Sequence, residues 1–391
     1  MKNIKITVIF ILLIPLLTSC WSRKELNELA ITTGIAIDKV DDKYFVTAQV
    51  LNPGEIAGQQ QSTRLEVATF GTTGLTIFEA FRKLTLQSPR DLYLSHVRII
   101  VFGEELAREG ITEVLDFLSR DHEMRTDFFL TVAKNQKASE ILKVLTSIEK
   151  IPMMKIFNSI DVAGENWAAA KGVQLDDLIS KITSDGSNAV LTGVSVQGPR
   201  DIGNDLQNIE KIDSPTRIKI DYLGAFKEDK LVGWLNKDES KGLQYIEDKI
   251  ENTVITVPCE DRSLSVEIIR SSTSVEGIVE NEQPKIKIKV DSEGSVGEAQ
   301  CPIDLSKVES LKKIGSKTEK DQENKIMKSI EKAQEWRTDF LGFGEAIHRA
   351  DPKAWKKLSK NWDEHFSNLE IDIDINVDIR RLGTITDSFQ K

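Results

Sequence analysis

The sequence predicts an α+β (mixed α/β) protein with several domains, in which mixed sheets pack against helices. Residues 96–133 have the pattern of a strand, an amphipathic helix and a second strand, which is typical of a parallel crossover. After residue 250, apolar and polar residues alternate in several segments, as in half-buried antiparallel strands, and long helices accompany them. The chain has 391 residues, enough for two or three domains, each with its own core.

The first 20 residues have the pattern of a bacterial lipoprotein signal peptide. Two lysines precede an apolar run of 12 residues at 6–17, and small residues come just before Cys20. Such a run spans about 18 Å as a helix, whereas roughly 20 apolar residues are needed to cross a bilayer. We therefore predict a cleaved signal peptide at 1–19 and lipidation of the Cys20 thiol. An ordinary secretory signal with an incidental cysteine is the alternative, and both place the mature chain outside the cytoplasm.

The charge balance argues against two classes of partner. The formal net charge is −10, and cleavage after residue 19 would remove two lysines and no acidic residue. Nucleic-acid binding depends on a basic surface that neutralises phosphates, so we expect no nucleic-acid partner. Electrostatic adhesion to an anionic membrane is disfavoured for the same reason. We expect the lipid, rather than charge, to hold the protein at a membrane.

The predicted N-terminal mixed α/β domain spans residues 20–190. After a short polar tether, 31–38 and 44–51 have the pattern of a β-hairpin, and 52–63 that of an exposed loop. Residues 75–84 are amphipathic with helical spacing. The side chains predicted to share the inward face of this helix are Ile77, Phe78, Phe81 and Leu84.

The same domain contains the clearest strand–helix–strand pattern. Segments 96–103 and 127–133 are predicted as buried parallel strands, and 104–120 as one connecting helix. A further helix is predicted at 137–148, and 150–185 is predicted to be mostly helical. The inward side chains predicted for the connecting helix are Leu106, Ile111, Val114, Leu115 and Leu118.

A segment with glycine and proline at 198–215 predicts a domain boundary or a long connection. Around it we predict a middle β-hairpin region at 191–250, which can form a small domain of its own. Its two strands are predicted at 216–226 and 230–235, on either side of a Lys-Glu-Asp turn.

The predicted C-terminal α+β domain spans residues 251–391. Segments 252–259, 263–270 and 284–291 alternate apolar and polar residues as antiparallel strands do, and a long helix follows around 304–335. Asp351 and Pro352 predict the start of another helix, with aspartate as the N-cap and proline at the first helical position. The residues that share one face of that helix are Trp355, Leu358, Trp362 and Phe366.

The last segment, 369–383, alternates strictly and predicts a long antiparallel strand. Its acidic residues imitate an EF-hand loop, but Val377 stands where that loop needs glycine and Gly383 where it needs glutamate. A strand explains the pattern better than a calcium site. The predicted core side chains include Ile371, Ile373 and Ile375, and the predicted solvent-facing ones Asp372, Asp374 and Asp378.

The sequence offers no catalytic, cofactor-binding or metal-binding constellation, so we expect no enzyme activity and no cofactor. It has no HExxH, no GxSxG and no glycine-rich phosphate loop. None of the four histidines has metal-ligand spacing; His96 is predicted at the start of a strand, where a structural role is more usual. A charge cluster next to the connecting helix is predicted to be solvated or to fix a loop: Arg120, Asp121, Glu123 and Arg125.

Cys259 and Cys301 have two possible states. In an extracytoplasmic chain they can form a disulfide, which would contribute about 4 kcal/mol on a chain-entropy model. Two cysteines alone fix no spacing pattern, so two separate buried thiols are the favoured interpretation.

Five segments in series resemble one known family, the C subunits of spore germinant receptors, also called Ger(x)C lipoproteins. The matching segments are 20–38, 94–125, 223–240, 340–366 and the terminal alternating strand. The resemblance implies a lipid-anchored, non-enzymatic protein with three mixed α/β domains. It implies action with two integral-membrane subunits, A and B, on the outer face of the inner spore membrane. It also implies a role in germination triggered by small nutrients. Only the lipidated cysteine carries over, to Cys20.

Two other classes of protein fit the sequence less well. An extracytoplasmic solute-binding lipoprotein predicts two similar lobes around a hinge, whereas the second half here is β-rich and then helical. A lipid-anchored envelope enzyme predicts a catalytic constellation, which the sequence lacks. The aromatic residues fall at core spacings, so we expect function in assembly with membrane subunits rather than in a deep ligand pocket.

Overall fold

The computed structural model describes residues 28–57 and 64–380, which form two sheets with helices packed on them. Nine strands of the described chain form the first sheet and four form the second. The first sheet contains β1 (Leu29–Val40), β2 (Lys43–Leu51), β3 (Val67–Gly74), β4 (Asp91–Tyr93), β5 (Ile99–Gly103), β6 (Phe129–Ala133), β7 (Val190–Gln197), β8 (Arg217–Lys227) and β9 (Lys230–Trp234).

The first sheet has a parallel centre and antiparallel edges. Its order is β3-β2-β1-β5-β6-β7-β8-β9, with β4 paired to the beginning of β1. The β1–β5, β5–β6 and β6–β7 pairs are parallel, so the predicted parallel crossover is confirmed. The predicted β1–β2 hairpin is also confirmed.

Helices cover both faces of this sheet. The helices of this half are α1 (Pro53–Ala57), α2 (Ile77–Leu84), α3 (Glu104–Glu109), α4 (Thr112–Arg120), α5 (Ala138–Ile141), α6 (Pro152–Trp167), α7 (Leu175–Ile182) and α8 (Arg200–Gly203). Side chains of α2, α3, α4 and α7 pack into one apolar cluster, and side chains of α5 and α6 pack into another on the opposite face. The sheet therefore lies between two helical layers.

Two predicted helices differ from the structure. The single helix predicted at 104–120 is two helices, because Gly110 has φ +140°, a backbone conformation that L side chains rarely adopt. The five side chains predicted to face inward across this segment are nevertheless all buried. The helix predicted at 137–148 is only α5, and His96 lies in a 3₁₀ turn, Leu94–His96, rather than in a strand.

The middle hairpin continues the first sheet. Strands β8 and β9 pair antiparallel across a turn at Glu228 and Asp229, and β8 also pairs with β7. Strand β7 begins at Val190, at the boundary predicted between the first two regions. The division into three domains stays a prediction.

The second sheet contains β10 (Thr253–Cys259), β11 (Arg262–Glu280), β12 (Gln283–Ala299) and β13 (Glu370–Arg380), in that order. The first three strands are antiparallel, as predicted, but β11 and β12 are much longer than the segments identified from alternation. Strand β13 pairs parallel to β12, so its predicted antiparallel direction is wrong. Asp372, Asp374 and Asp378 are exposed as predicted, but the three isoleucines at 371, 373 and 375 are only half-buried.

Helices of the second half are α9 (Lys237–Ile246), α10 (Val308–Trp336), α11 (Phe343–Ala350), α12 (Pro352–Leu358) and α13 (Trp362–Ser367). The predicted N-cap is confirmed, because the Asp351 carboxylate accepts hydrogen bonds from the Lys353 and Ala354 amides, both at 2.9 Å. The aromatic face predicted from residue 355 onward is buried throughout.

Helix α9 connects the two halves. Its apolar side chains join a core that includes residues of β8 and of the second sheet. At Gly242 the helix approaches α10 so closely that a Cβ atom would lie 2.1 Å from the Lys325 carbonyl oxygen. Only glycine allows this approach without a backbone shift.

Cys259 and Cys301 form a disulfide with a Cα–Cα distance of 5.9 Å, so the favoured interpretation of two separate thiols is wrong. Both residues are buried, at 8% and 1% exposure. The bond joins the end of β10 to the chain after β12. No spacing pattern in the sequence specifies this pairing; the register of the β10–β11–β12 meander brings the two cysteines together.

Candidate functional site

Helix α2 presents apolar side chains to solvent as well as to the core. The Thr76 hydroxyl caps it by accepting a hydrogen bond from the Glu79 amide at 3.1 Å. Ile77, Phe81 and Leu84 are buried as predicted, but Phe78 is 52% exposed, so its predicted inward position is wrong. Ala80 is buried instead. Leu75, just before the helix, is 70% exposed.

Helix α4 lies beside α2 on the same face of the sheet. Its start is fixed by the β8–β9 turn, because the Asp229 carboxylate accepts hydrogen bonds from the Thr112 hydroxyl and amide at 2.7 and 3.1 Å. Val114, Leu115 and Leu118 are buried. Phe117, between these positions, is half-buried on the side of the helix that faces α2.

The α2–α4 groove is the surface between these helices, and three phenylalanines line it. The Phe81 and Phe117 rings stack with centroids 5.2 Å apart, and the Phe78 ring lies 6.3 Å from Phe117. The volume is about 1090 Å³. Sequence spacing did not predict this cluster, because each ring lies at a position compatible with the core. The only signal was the adjacent pair of apolar residues Ile77 and Phe78, which cannot both point directly inward on one helix.

Two residues that line the groove come from strands that pair with β1. Tyr44 pairs with Lys39, near the end of β1, and Asp91 pairs with Leu29, at its beginning. Asp91 therefore lies beside the place where the described chain begins.

Acidic residues predominate on the rim of the groove. Five carboxylates and two arginines border it, together with one histidine: Asp91, Glu113, Asp116, Asp121, Glu123, Arg82, Arg120 and His122. The Tyr44 hydroxyl donates a hydrogen bond to Glu113, and burial together with this bond raises the pKa of Tyr44. A hydrogen bond from Arg120 lowers the pKa of Asp116. The Arg82 guanidinium lies 4.8 Å from the centroid of the Phe78 ring.

The predicted charge cluster borders this groove. Arg120 pairs with Asp116, one turn earlier on α4, at 2.9 Å, and Arg125 pairs with Asp127 at 3.3 Å. The Asp121 carboxylate accepts a hydrogen bond from the Glu123 amide at 2.8 Å and so fixes the loop after α4. Arg120, Glu123 and Arg125 are solvent-exposed and Asp121 is half-buried, which agrees with the prediction of a solvated or loop-fixing cluster. The structure adds that three of its members, Arg120, Asp121 and Glu123, line the groove.

The other residues considered from the sequence form no site in the described chain. Residues 28–57 and 64–380 contain no group of three or more His, Cys, Asp or Glu side chains placed to hold a metal. Of the EF-hand-like segment, Asp372 pairs with Lys285 at 2.7 Å across the strands. His348 stacks on the buried Trp355 ring, and His96 lies edge-on to Tyr93. Cys20 and Gly383 lie outside the described residues.

The comparisons with known proteins agree from one end of the chain to the other. Residues 22–196 match the model of the spore germination protein N-terminal domain, and 222–383 match that of the C-terminal domain called spore germination B3/GerAC like. Spore germination protein KC of Bacillus subtilis (strain 168) is 32% identical over 97% of this chain and 95% of its own. The chain belongs to the germinant receptor C-subunit family.

Two further similarities extend over most of this C subunit. Spore germination protein B3 of the same Bacillus strain is 27% identical over 97% of this chain and 98% of its own. The crystal structure of the GerBC protein matches with a TM-score of 0.57 and 23% identity, over 89% of this chain and 97% of that one. This match confirms the predicted α+β fold class. The resemblance inferred from five segments is confirmed as well.

The α2–α4 groove and the disulfide lie in different regions of the two that match the family models. Every residue that lines the groove falls within 22–196, and both disulfide cysteines fall within 222–383. Membership of a germination receptor family suggests that the protein associates with a membrane. None of the helices in the described residues is long and apolar enough to span a bilayer.

Proposed function

We propose that this C subunit is anchored by a diacylglycerol on Cys20 to the outer face of the inner spore membrane. There it acts with two integral-membrane subunits, A and B, to trigger germination in response to small nutrients. The observation that carries the proposal is the 32% identity to spore germination protein KC along 97% of the chain. Its role is assembly rather than catalysis, consistent with the absence of any recognisable catalytic motif in the sequence.

A lipid at Cys20 would keep the folded part close to the membrane. Cys20 is nine residues before Leu29, where β1 begins, so even a fully extended connection spans only about 30 Å. Two acyl chains contribute about 0.8 kcal/mol per buried CH₂ group, which is enough for stable anchoring. The net charge of −10 does not favour anionic head groups, so the lipid would supply the attachment.

Replacing Cys20 with alanine tests the anchor. We expect the Cys20→Ala protein to lose acyl labelling, to leave the membrane fraction and to support germination poorly, because no other thiol lies at a signal-peptide cleavage site. Radiolabelled fatty-acid incorporation and membrane fractionation measure the first two effects, and germination of spores measures the third. Ser19→Ala, which keeps a small residue before the cysteine, is the matched control and should behave as wild type. Unchanged labelling and fractionation of Cys20→Ala would refute the anchor.

A further inference from the structure

We propose that the α2–α4 groove binds an amphipathic helix with basic flanking residues, presented at the membrane surface by an integral-membrane subunit of the same receptor. The inference deepens the proposed function and depends on it, because it assigns to one surface the assembly that the proposed function requires.

The apolar surface of the groove is larger and more exposed than the fold requires. Phe78 and Leu75 remain 52% and 70% exposed although they belong to the segment that packs α2 on the sheet. Their neighbours Phe81 and Phe117 form an aromatic floor with the rings stacked. Exposed apolar surface that continues into a groove is typical of an interaction site, whereas single exposed apolar residues need no explanation.

The dimensions favour a helix over a small molecule. The volume of about 1090 Å³ lies at the upper limit of small-molecule pockets, which measure about 300–1,000 Å³. The groove lies between α2 and α4, which have eight and nine residues. At a rise of 1.5 Å per residue these helices are about 12–14 Å long, so about two turns of a partner helix can lie along them. Helices that bind in apolar grooves use side chains at i, i+3, i+4 and i+7, which suits a floor of three phenylalanines between two helices.

The charge of the rim identifies the flanks of the partner. Five carboxylates border the groove against two arginines, and one of the arginines, Arg120, already pairs with Asp116. This excess of negative charge attracts Lys and Arg residues on a partner and repels anionic lipid head groups. A bilayer surface is therefore a poor occupant of the groove, even if a lipid on Cys20 holds the groove near it.

The position of the groove matches a partner in the membrane. Strand β4, which lines one end, pairs with Leu29 and Ala30 at the beginning of β1. That end is therefore next to the point from which the chain leads back to Cys20. If Cys20 carries the lipid, the groove is held within reach of segments that emerge from the bilayer.

The first test replaces the exposed phenylalanine in the full-length protein. We expect Phe78→Asp to reduce the recovery of the membrane subunits with the affinity-tagged C subunit by about tenfold, which corresponds to about 1.4 kcal/mol. Val162→Asp is the matched control, because Val162 is 58% exposed and also lies on a helix. Thermal melts verify that each variant is folded. If Phe78→Asp does not fold, Leu75→Asp replaces it, since Leu75 precedes the helix and is more exposed.

The second test identifies the occupant directly. A photo-crosslinking amino acid at position 78 of the full-length, lipidated protein should form an adduct with a membrane subunit. The adduct should map to a segment with apolar residues at helical spacing and with Lys or Arg at its ends. Adducts with lipid only, with a nutrient, with a second copy of the chain or with nothing would overturn the proposal, as would normal recovery of membrane subunits with Phe78→Asp. If the wild-type chain itself recovers no membrane subunit, the proposed function fails first, which distinguishes the two failures.

Discussion

Replacing Asp339 with alanine is expected to lower the free energy of unfolding by about 3–5 kcal/mol, because three buried donors would lose their acceptor. The Asp339 carboxylate is 1% exposed and accepts hydrogen bonds from the amides of Phe343 and Gly344 and from the indole of Trp362, at 3.1, 2.7 and 2.9 Å. It therefore fixes the start of α11 and the position of α13. Denaturant unfolding measures the effect. Asp374→Ala, on the solvent face of β13, is the matched control and should change stability by less than about 0.5 kcal/mol.

The cost of Asp339→Ala should also depend on pH. Burial raises the pKa of Asp339 to about 6, although the hydrogen bonds that its carboxylate accepts act in the opposite direction. Between about pH 4 and 6 the folded state holds a proton that the unfolded state has released, so this group contributes less stability as pH rises. A difference of about two pKa units corresponds to about 3 kcal/mol. The wild type should therefore exceed Asp339→Ala in stability by more at pH 4 than at pH 7. A pH-independent difference would contradict the assignment.

Removing the disulfide is the second large expected effect. Cys259 and Cys301 are 42 residues apart in sequence, and closing a loop of that length contributes about 4 kcal/mol on the chain-entropy model. We expect the Cys259→Ala/Cys301→Ala protein to lose about 2–5 kcal/mol of unfolding free energy, because its unfolded chain regains the freedom of that loop. Alanine avoids placing a new hydroxyl in the buried site.

Reduction provides the control for that prediction. Wild-type protein treated with a thiol reductant should unfold like the double alanine variant, whereas reductant should leave the variant unchanged. If the double alanine variant and the oxidised wild type have the same free energy of unfolding, the prediction is wrong. The disulfide also agrees with the predicted location outside the cytoplasm, because disulfides persist in oxidising compartments and are rare in the cytosol.

The sequence predicted side-chain faces better than strand directions or connections. Alternation in the last strand identified its solvent-facing aspartates correctly, because the period of two depends only on the pleat. It could not give the direction of β13, since an alternating strand can pair in either direction. The same limit applies to the connecting helix: its inward residues were identified correctly, but the break at Gly110 depends on a backbone angle that spacing does not reveal.

The candidate site was less predictable than the fold. Phe78 has the spacing of a core residue, but it is exposed, whereas Ala80, two positions later, is buried. Phe81 and Phe117 are 36 positions apart, so their stacking depends on the placement of α2 beside α4. Cys20, in contrast, was predicted from a local pattern that needs no tertiary information.

The most direct test of the receptor-subunit account is affinity isolation of the tagged, full-length chain from detergent-solubilised spore membranes, with quantitative identification of what accompanies it. We predict that two integral-membrane proteins, the A and B subunits, are recovered in constant ratio to the chain. Stable subunit interfaces bury about 1,200–2,000 Å² in total, and the account predicts an interface of this kind that persists through the isolation. Recovery of the chain alone, or with the components of a solute transporter instead, would contradict the account.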